Sequence, residues 1–130
     1  MKLILILHAS TDWNMPDSGR LQGQTDVPLN DFGKEEAANI GAKLSGDKVS
    51  VSRIISSDLR RARETAIIIS GALKISISFD PRLRECSFGS LEGAKKSDLD
   101  VLYKPEITEI LGCWHGSYRN YDFHNFGGEN

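Results

Sequence analysis

Five consecutive apolar residues, Leu3-Ile4-Leu5-Ile6-Leu7, follow Met1-Lys2 and run directly into the polar stretch His8-Ala9-Ser10-Thr11-Asp12-Trp13-Asn14. A short run that is apolar at every position predicts a strand buried on both faces, as inside a parallel sheet. Asp12 to Asn30 has no apolar period and is rich in Asp, Gly, Pro, Asn and Gln, which predicts a long loop over the carboxyl end of that sheet. Ala37, Ile40 and Leu44 recur at helical spacing and predict a helix over about Phe32–Leu44, capped by Asn30 or Asp31 and ended at Gly46.

Arg53-Ile54-Ile55-Ser56 predicts a second strand, and Ser57-Asp58 the cap of a helix over about Leu59–Leu73. Ile75-Ser76-Ile77-Ser78-Phe79 alternates apolar and polar, predicting a third strand that Asp80-Pro81 closes. Strands alternating with helices imply right-handed crossovers and a mostly parallel sheet, hence an α/β fold in one domain over residues 1–130. Beyond Arg82 the pattern weakens: helices are expected over Lys95–Tyr103 and Glu106–Leu111, and loop from Trp114 to Asn130.

Composition narrows the class. With 130 residues, 39% apolar and 26% charged, the chain has enough material for one small core and none of the bias of a disordered or membrane-spanning protein. Sixteen Lys and Arg against eighteen Asp and Glu leave a net charge of −2, so no global field draws it to nucleic acid or to a membrane surface. An anion site must therefore be local. The apolar run after Lys2 is shorter than the ~7 to 15 residues of a signal-peptide core, so a cytoplasmic location is expected. Cys86 and Cys113 lack the spacing of a metal site and are expected to be reduced thiols.

Titratable groups collect at three predicted strand ends. Ligands of open α/β sheets bind outside the carboxyl ends of the strands, which makes His8 a candidate base or nucleophile. In Ser57–Ala66 a helix begins with Arg60, Arg61 and Arg63 in its first turns, where backbone N–H groups and guanidinium groups can grip phosphate. Glu85 follows the third strand, where burial and a bound anion would raise its pKa and make it a proton donor. Taken singly each signal is weak, since a strand-end histidine is often structural and arginines on a helix usually face water.

Together, in order, these segments resemble the histidine phosphatase superfamily. His8 to Asn14 resembles its Arg-His-Gly-Glu-Thr-x-Trp-Asn opening from the histidine onward, and Gly19 to Gly33 is similar to the following loop and helix start. Ser57 to Ala66 matches Ser-x-x-x-Arg-Ala-x-x-Thr-Ala, Leu83 to Gly93 matches Leu-x-Glu-x-x-x-Gly-x-x-Glu-Gly, and Gly127 to Asn130 resembles the Gly-Gly-Glu-Ser turn. The resemblance implies a phosphoglycerate mutase-like three-layer α/β/α sandwich with a mostly parallel sheet, lacking the family's carboxyl-terminal part. It implies that His8 accepts a phosphoryl group, that Arg61 and Asn14 hold phosphate oxygens, that Gln22 and Gly23 line the pocket, and that Glu85 protonates the leaving oxygen. No metal or other cofactor is implied, and the expected partner is a small phosphorylated substrate.

Two departures qualify the resemblance. The family's arginine before the histidine is Leu7 here, and losing one preorganised donor of this kind costs on the order of 10²- to 10³-fold in rate. Family members are longer, with a second catalytic histidine on a central strand after the Gly-Gly-Glu-Ser turn; His115-Gly116 and His124 are poor substitutes for it. An unpaired first strand is then expected to repack or to be completed by another chain, as in a homo-oligomer. Two functions follow as expectations: impaired phosphoryl transfer or hydrolysis through a phosphohistidine at His8, or a noncatalytic phosphate-ester-binding or assembly subunit that retains the fold.

Overall fold

The computed structural model describes residues 3–16, 18–95, 97–99 and 126–128. They fall into two compact units, one of residues 1–12 and 26–84, the other of residues 13–25 and 85–130.

In the first unit the chain order is helix, strand, helix, strand. Helix α1 spans Asp31–Gly46 because Asn30 caps it, its side-chain oxygen accepting from the Gly33 N–H at 2.8 Å. Its buried face is built of small residues, Gly33, Ala37 and Gly41. At Gly41 an added Cβ would stand 2.8 Å from the Ala72 Cβ, so the small face sets how closely α1 meets α2, which spans Arg60–Leu73. Ala9, Leu29 and Ala37 form the core here, with Ile68 of α2 packed against them. Strand β1, Ile54–Ser56, pairs in parallel with β2, Ile77–Phe79, in the register Ile54 to Ile77 and Ser56 to Phe79. Helix α2 links them, as a parallel pair requires. Asp80 then caps a 3₁₀ turn over Pro81–Leu83.

Two expectations are corrected. Leu3–Leu7 forms no strand, and its exposure alternates through 74, 39, 85, 42 and 80%. An all-apolar run is buried on both faces only when it lies inside a sheet with a layer packed over each face, and among the described residues β1 pairs with β2 alone, so the run has no place in that sheet. The second correction concerns the start of α2. Asp58 does not cap it; its carboxylate binds the Arg84 guanidinium, with Nε at 2.7 Å from Oδ1. The Arg60 N–H instead donates to Asp26 Oδ1 at 2.6 Å, and Ser57 Oγ accepts from the Leu59 N–H at 3.3 Å.

The second unit has its own core, Leu21, Phe88, Leu91 and Leu99, flanked by Ala94 and Phe126. The Trp13–Thr25 loop is tied into it by backbone bonds, Leu21 N–H to the Ala94 carbonyl at 3.1 Å and Gly93 N–H to the Leu21 carbonyl at 2.8 Å. A short 3₁₀ turn covers Gly89–Leu91. The helices expected beyond Lys95, His115, His124 and Cys113 lie outside the described residues, apart from a helical turn at 97–99.

Candidate active site around His8

In the first unit the charge of Arg61 acts on His8. His8 is half-buried, and its Nδ1 lies 2.8 Å from its neighbour's carbonyl, Ala9 O. A carbonyl can only accept, so Nδ1 carries the proton and the lone pair is left on Nε2. Burial is the main cause that pushes the His8 pKa below 6.5; the bond to Ala9 O opposes it, and the Arg61 charge adds to the depression. The ring is thus neutral at physiological pH, the state in which an imidazole is a nucleophile.

The three arginines that start α2 have separate roles. Arg60 reaches out to Glu64 at 2.8 Å, and Arg63 lies over the Phe79 ring, 5.1 Å from its centroid. Arg61 alone is buried, at 1% exposure. A guanidinium held away from water next to a histidine is strongly attractive to an anion, because desolvation strengthens each charge-assisted bond. Of the three arginines expected to grip phosphate at the start of α2, Arg61 is thus the one removed from water. The hollow of about 320 Å³ at that end of the helix is lined by Asp26, Asp58, Arg60, Arg63, Glu64 and Ile67, three carboxylates against two guanidiniums.

The loop carrying His8 is held by both helices. Thr65 of α2 accepts from the Ala9 N–H at 3.0 Å and donates to the Arg61 carbonyl at 2.8 Å. Glu36 of α1 accepts from the Ser10 N–H at 2.9 Å, and the Ser10 carbonyl accepts from the Asn30 N–H at 3.1 Å. Neither Glu36 nor Thr65 was singled out from the sequence; Thr65 could have been, as the threonine of the Ser-x-x-x-Arg-Ala-x-x-Thr-Ala match.

In the second unit Glu92 ties the Gly23–Thr25 turn to the Ser87–Phe88 segment. Its carboxylate accepts from Gln24 N–H at 2.9 Å, Thr25 Oγ1 at 2.6 Å, Phe88 N–H at 3.1 Å and Ser87 Oγ at 3.3 Å. Burial would raise its pKa, but these bonds outweigh it and leave Glu92 below the usual carboxylate range. Gly23 sits at φ +50° against this carboxylate, where a Cβ would come within 2.3 Å of Oε1, so only glycine fits. Gln22 is buried, Glu85 half-buried and Asn14 exposed. Among the described residues no group of three or more His, Cys, Asp or Glu side chains gathers to hold a metal ion, and no helix is long and apolar enough to cross a membrane.

Comparison with known proteins gives the class of this fold. Residues 3–127 match the model of the histidine phosphatase superfamily (branch 1), and the chain belongs to that family. Its fold is accordingly the histidine phosphatase α/β fold with a parallel sheet. Among curated relatives, the "Probable phosphoglycerate mutase GpmB" of Salmonella choleraesuis (strain SC-B67) is 40% identical over 106 residues, 82% of this chain and 46% of that protein. The chain thus spans about half the length of the curated relatives it matches. Among solved structures, a mycobacterial glucosyl-3-phosphoglycerate phosphatase in complex with VO3 superposes with a TM-score of 0.67 at 31% identity, over 78% of this chain and 47% of that one. A Thermus thermophilus protein, TTHB049, gives 0.69 at 33%, over 95% and 60%.

Proposed function

We propose that this chain carries out phosphoryl transfer from, or hydrolysis of, a small phosphate monoester through a phosphohistidine at His8, with its rate impaired by Leu7. The observation that carries the reading is the Nδ1 to Ala9 carbonyl bond beside the buried Arg61, because it supplies a neutral ring with a free-lone-pair nitrogen next to a fixed cation. Nε2 forms a bond to phosphorus while the ester P–O bond breaks, and the electron pair leaves on the ester oxygen. Glu85 delivers the proton that oxygen requires. The ring becomes cationic as it is phosphorylated, and its Nδ1–H bond to the Ala9 carbonyl strengthens with that charge. Water then attacks the phosphorus, its proton passing to the Glu85 carboxylate, as the P–N bond breaks and its electron pair returns to Nε2, which releases phosphate and restores the neutral ring. Arg61 and Asn14 hold the equatorial oxygens, where positioned positive charge provides most of the acceleration in phosphoryl transfer. Gln22 and Gly23 line the pocket.

Phosphate release from a panel of phosphate monoesters tests this reading. Wild-type protein is expected to release phosphate and H8A to release none. Equal release by both, or none by either, removes it.

A specific observation favours a second reading, a noncatalytic phosphate-ester-binding or assembly subunit. Leu7 offers no cation, and Leu3–Leu7 exposes apolar side chains with no backbone hydrogen bond to another described residue, the condition that invites another chain. Under this reading vanadate or phosphate binds H8A as well as wild type but binds R61A weakly, and sedimentation shows association.

A further inference from the structure

We propose that Glu36 is a positioning residue for His8, acting through the one peptide unit that joins Ala9 to Ser10. That unit is engaged at both ends. Its N–H, on Ser10, donates to Glu36 Oε2 at 2.9 Å, and its carbonyl, on Ala9, accepts from His8 Nδ1 at 2.8 Å. A trans peptide is planar, with N–H and C=O pointing in opposite directions, so anchoring one group aims the other. The carboxylate also polarises the amide and makes the Ala9 oxygen a stronger acceptor, as in any chain of hydrogen bonds. Glu36 thus stands to His8 as an orienting carboxylate stands to a catalytic imidazole, with a peptide unit interposed.

The surrounding contacts keep that unit from turning. Thr65 holds the preceding N–H, on Ala9, and the Asn30 N–H holds the following carbonyl, on Ser10. Gly33 lets α1 come close enough for Glu36 to reach, since a Cβ there would stand 2.0 Å from the Ser10 oxygen. The consequence is a single tautomer. An imidazole free of such a partner exchanges its proton between both nitrogens, whereas this one keeps its lone pair on Nε2. The benefit to catalysis rests on the reading of His8 as the phosphoryl acceptor; the relay itself does not.

The test reads the ring in the absence of any substrate. Long-range ¹H–¹⁵N spectra of the full chain at neutral pH report the tautomer of each of the three histidines, with H8A assigning the signal. Wild type and the conservative variant E36Q are expected to show His8 as the Nδ1–H tautomer, E36A a mixture of both, and E35Q, at an exposed neighbouring position, the wild-type pattern. In E36Q the Ser10 amide proton and the His8 Nδ1–H are expected to shift together, because the charge behind the relay is gone. A folded E36A that keeps the Nδ1–H tautomer overturns the proposal. So does E36Q in which Ser10 shifts and the His8 ring does not, a comparison that decides the matter if E36A does not fold. A protein that shows the expected tautomers yet releases no phosphate refutes the catalytic reading and leaves the relay standing.

Discussion

Thr65 and Ala9 are joined across 56 residues of sequence: the Ala9 N–H donates to the Thr65 hydroxyl at 3.0 Å, and that hydroxyl donates in turn to the Arg61 carbonyl at 2.8 Å. One buried side chain therefore fixes the loop of His8 to the helix turn of Arg61. Thr65→Val keeps the volume but orphans the Ala9 N–H, and is expected to cost about 1–3 kcal/mol, the penalty of a buried unsatisfied donor. A urea midpoint unchanged from wild type would show that the tie carries no stability.

His8 is expected to titrate below 6.5 in an NMR pH series, since burial, then the Arg61 charge, outweigh the bond to Ala9 O. The unfolded chain takes up this proton near pH 6.5 while the folded chain resists it. The stability tied to a neutral His8 is thus fully present above pH 6.5 and is lost as pH falls through the folded-state pKa. Arg61→Gln removes one depressing charge and should move the His8 titration upward, though burial keeps it below the free value.

Gly33→Ala drives a methyl group against the Ser10 carbonyl, 2.0 Å from the Cβ position. Backbone on one side and helix on the other leave little room to give, so the expected cost is about 1–3 kcal/mol, as for overpacking elsewhere. Weakened vanadate binding should accompany it, measured by calorimetry beside a thermal melt.

Glu92→Ala removes the acceptor of four hydrogen bonds and should free the Gln22–Thr25 loop. Bonds to a charged group are worth about 1.5–3 kcal/mol each in the strong cases, so faster amide exchange at Gln24 and Phe88 is expected. Because the Glu92 pKa is lowered on folding, its stabilisation is present above the unfolded value of 4.5 and is lost as pH falls through the lower folded one.

Leu7→Arg returns a cation beside His8 at a position that is 80% exposed and costs no core. If the catalytic reading holds, phosphate release should rise by about 10²- to 10³-fold, the worth of one preorganised donor. A rise that H8A abolishes would place the gain at the histidine, and an unchanged rate would count against Leu7 as the cause of impairment.

The local elements were legible because their signals are local. Asn30 announced α1 by being a cap three residues from the N–H it serves, and the alternation over Ile75–Phe79 located β2 to within two residues. The ordered motifs singled out His8 and Arg61 as candidates. Asp26 as the partner of the Arg60 N–H was not, because its signal is 34 residues away and looks like any loop aspartate. Nor was the exposure of Leu3–Leu7, which depends on what stands beside the segment and not on its own apolar content.

Amino-acid order by itself determined the family, the run of helix and strand from α1 to β2, and which histidine and which arginine to watch. Only tertiary packing decided that Arg61, and not Arg60 or Arg63, leaves water, and that Glu36 and Thr65 grip adjacent peptide groups. The reason is that periodicity and capping act over a few residues, whereas burial and hydrogen-bond pairing between α1, α2 and the His8 loop exist only once α2 has closed on the small-residue face of α1.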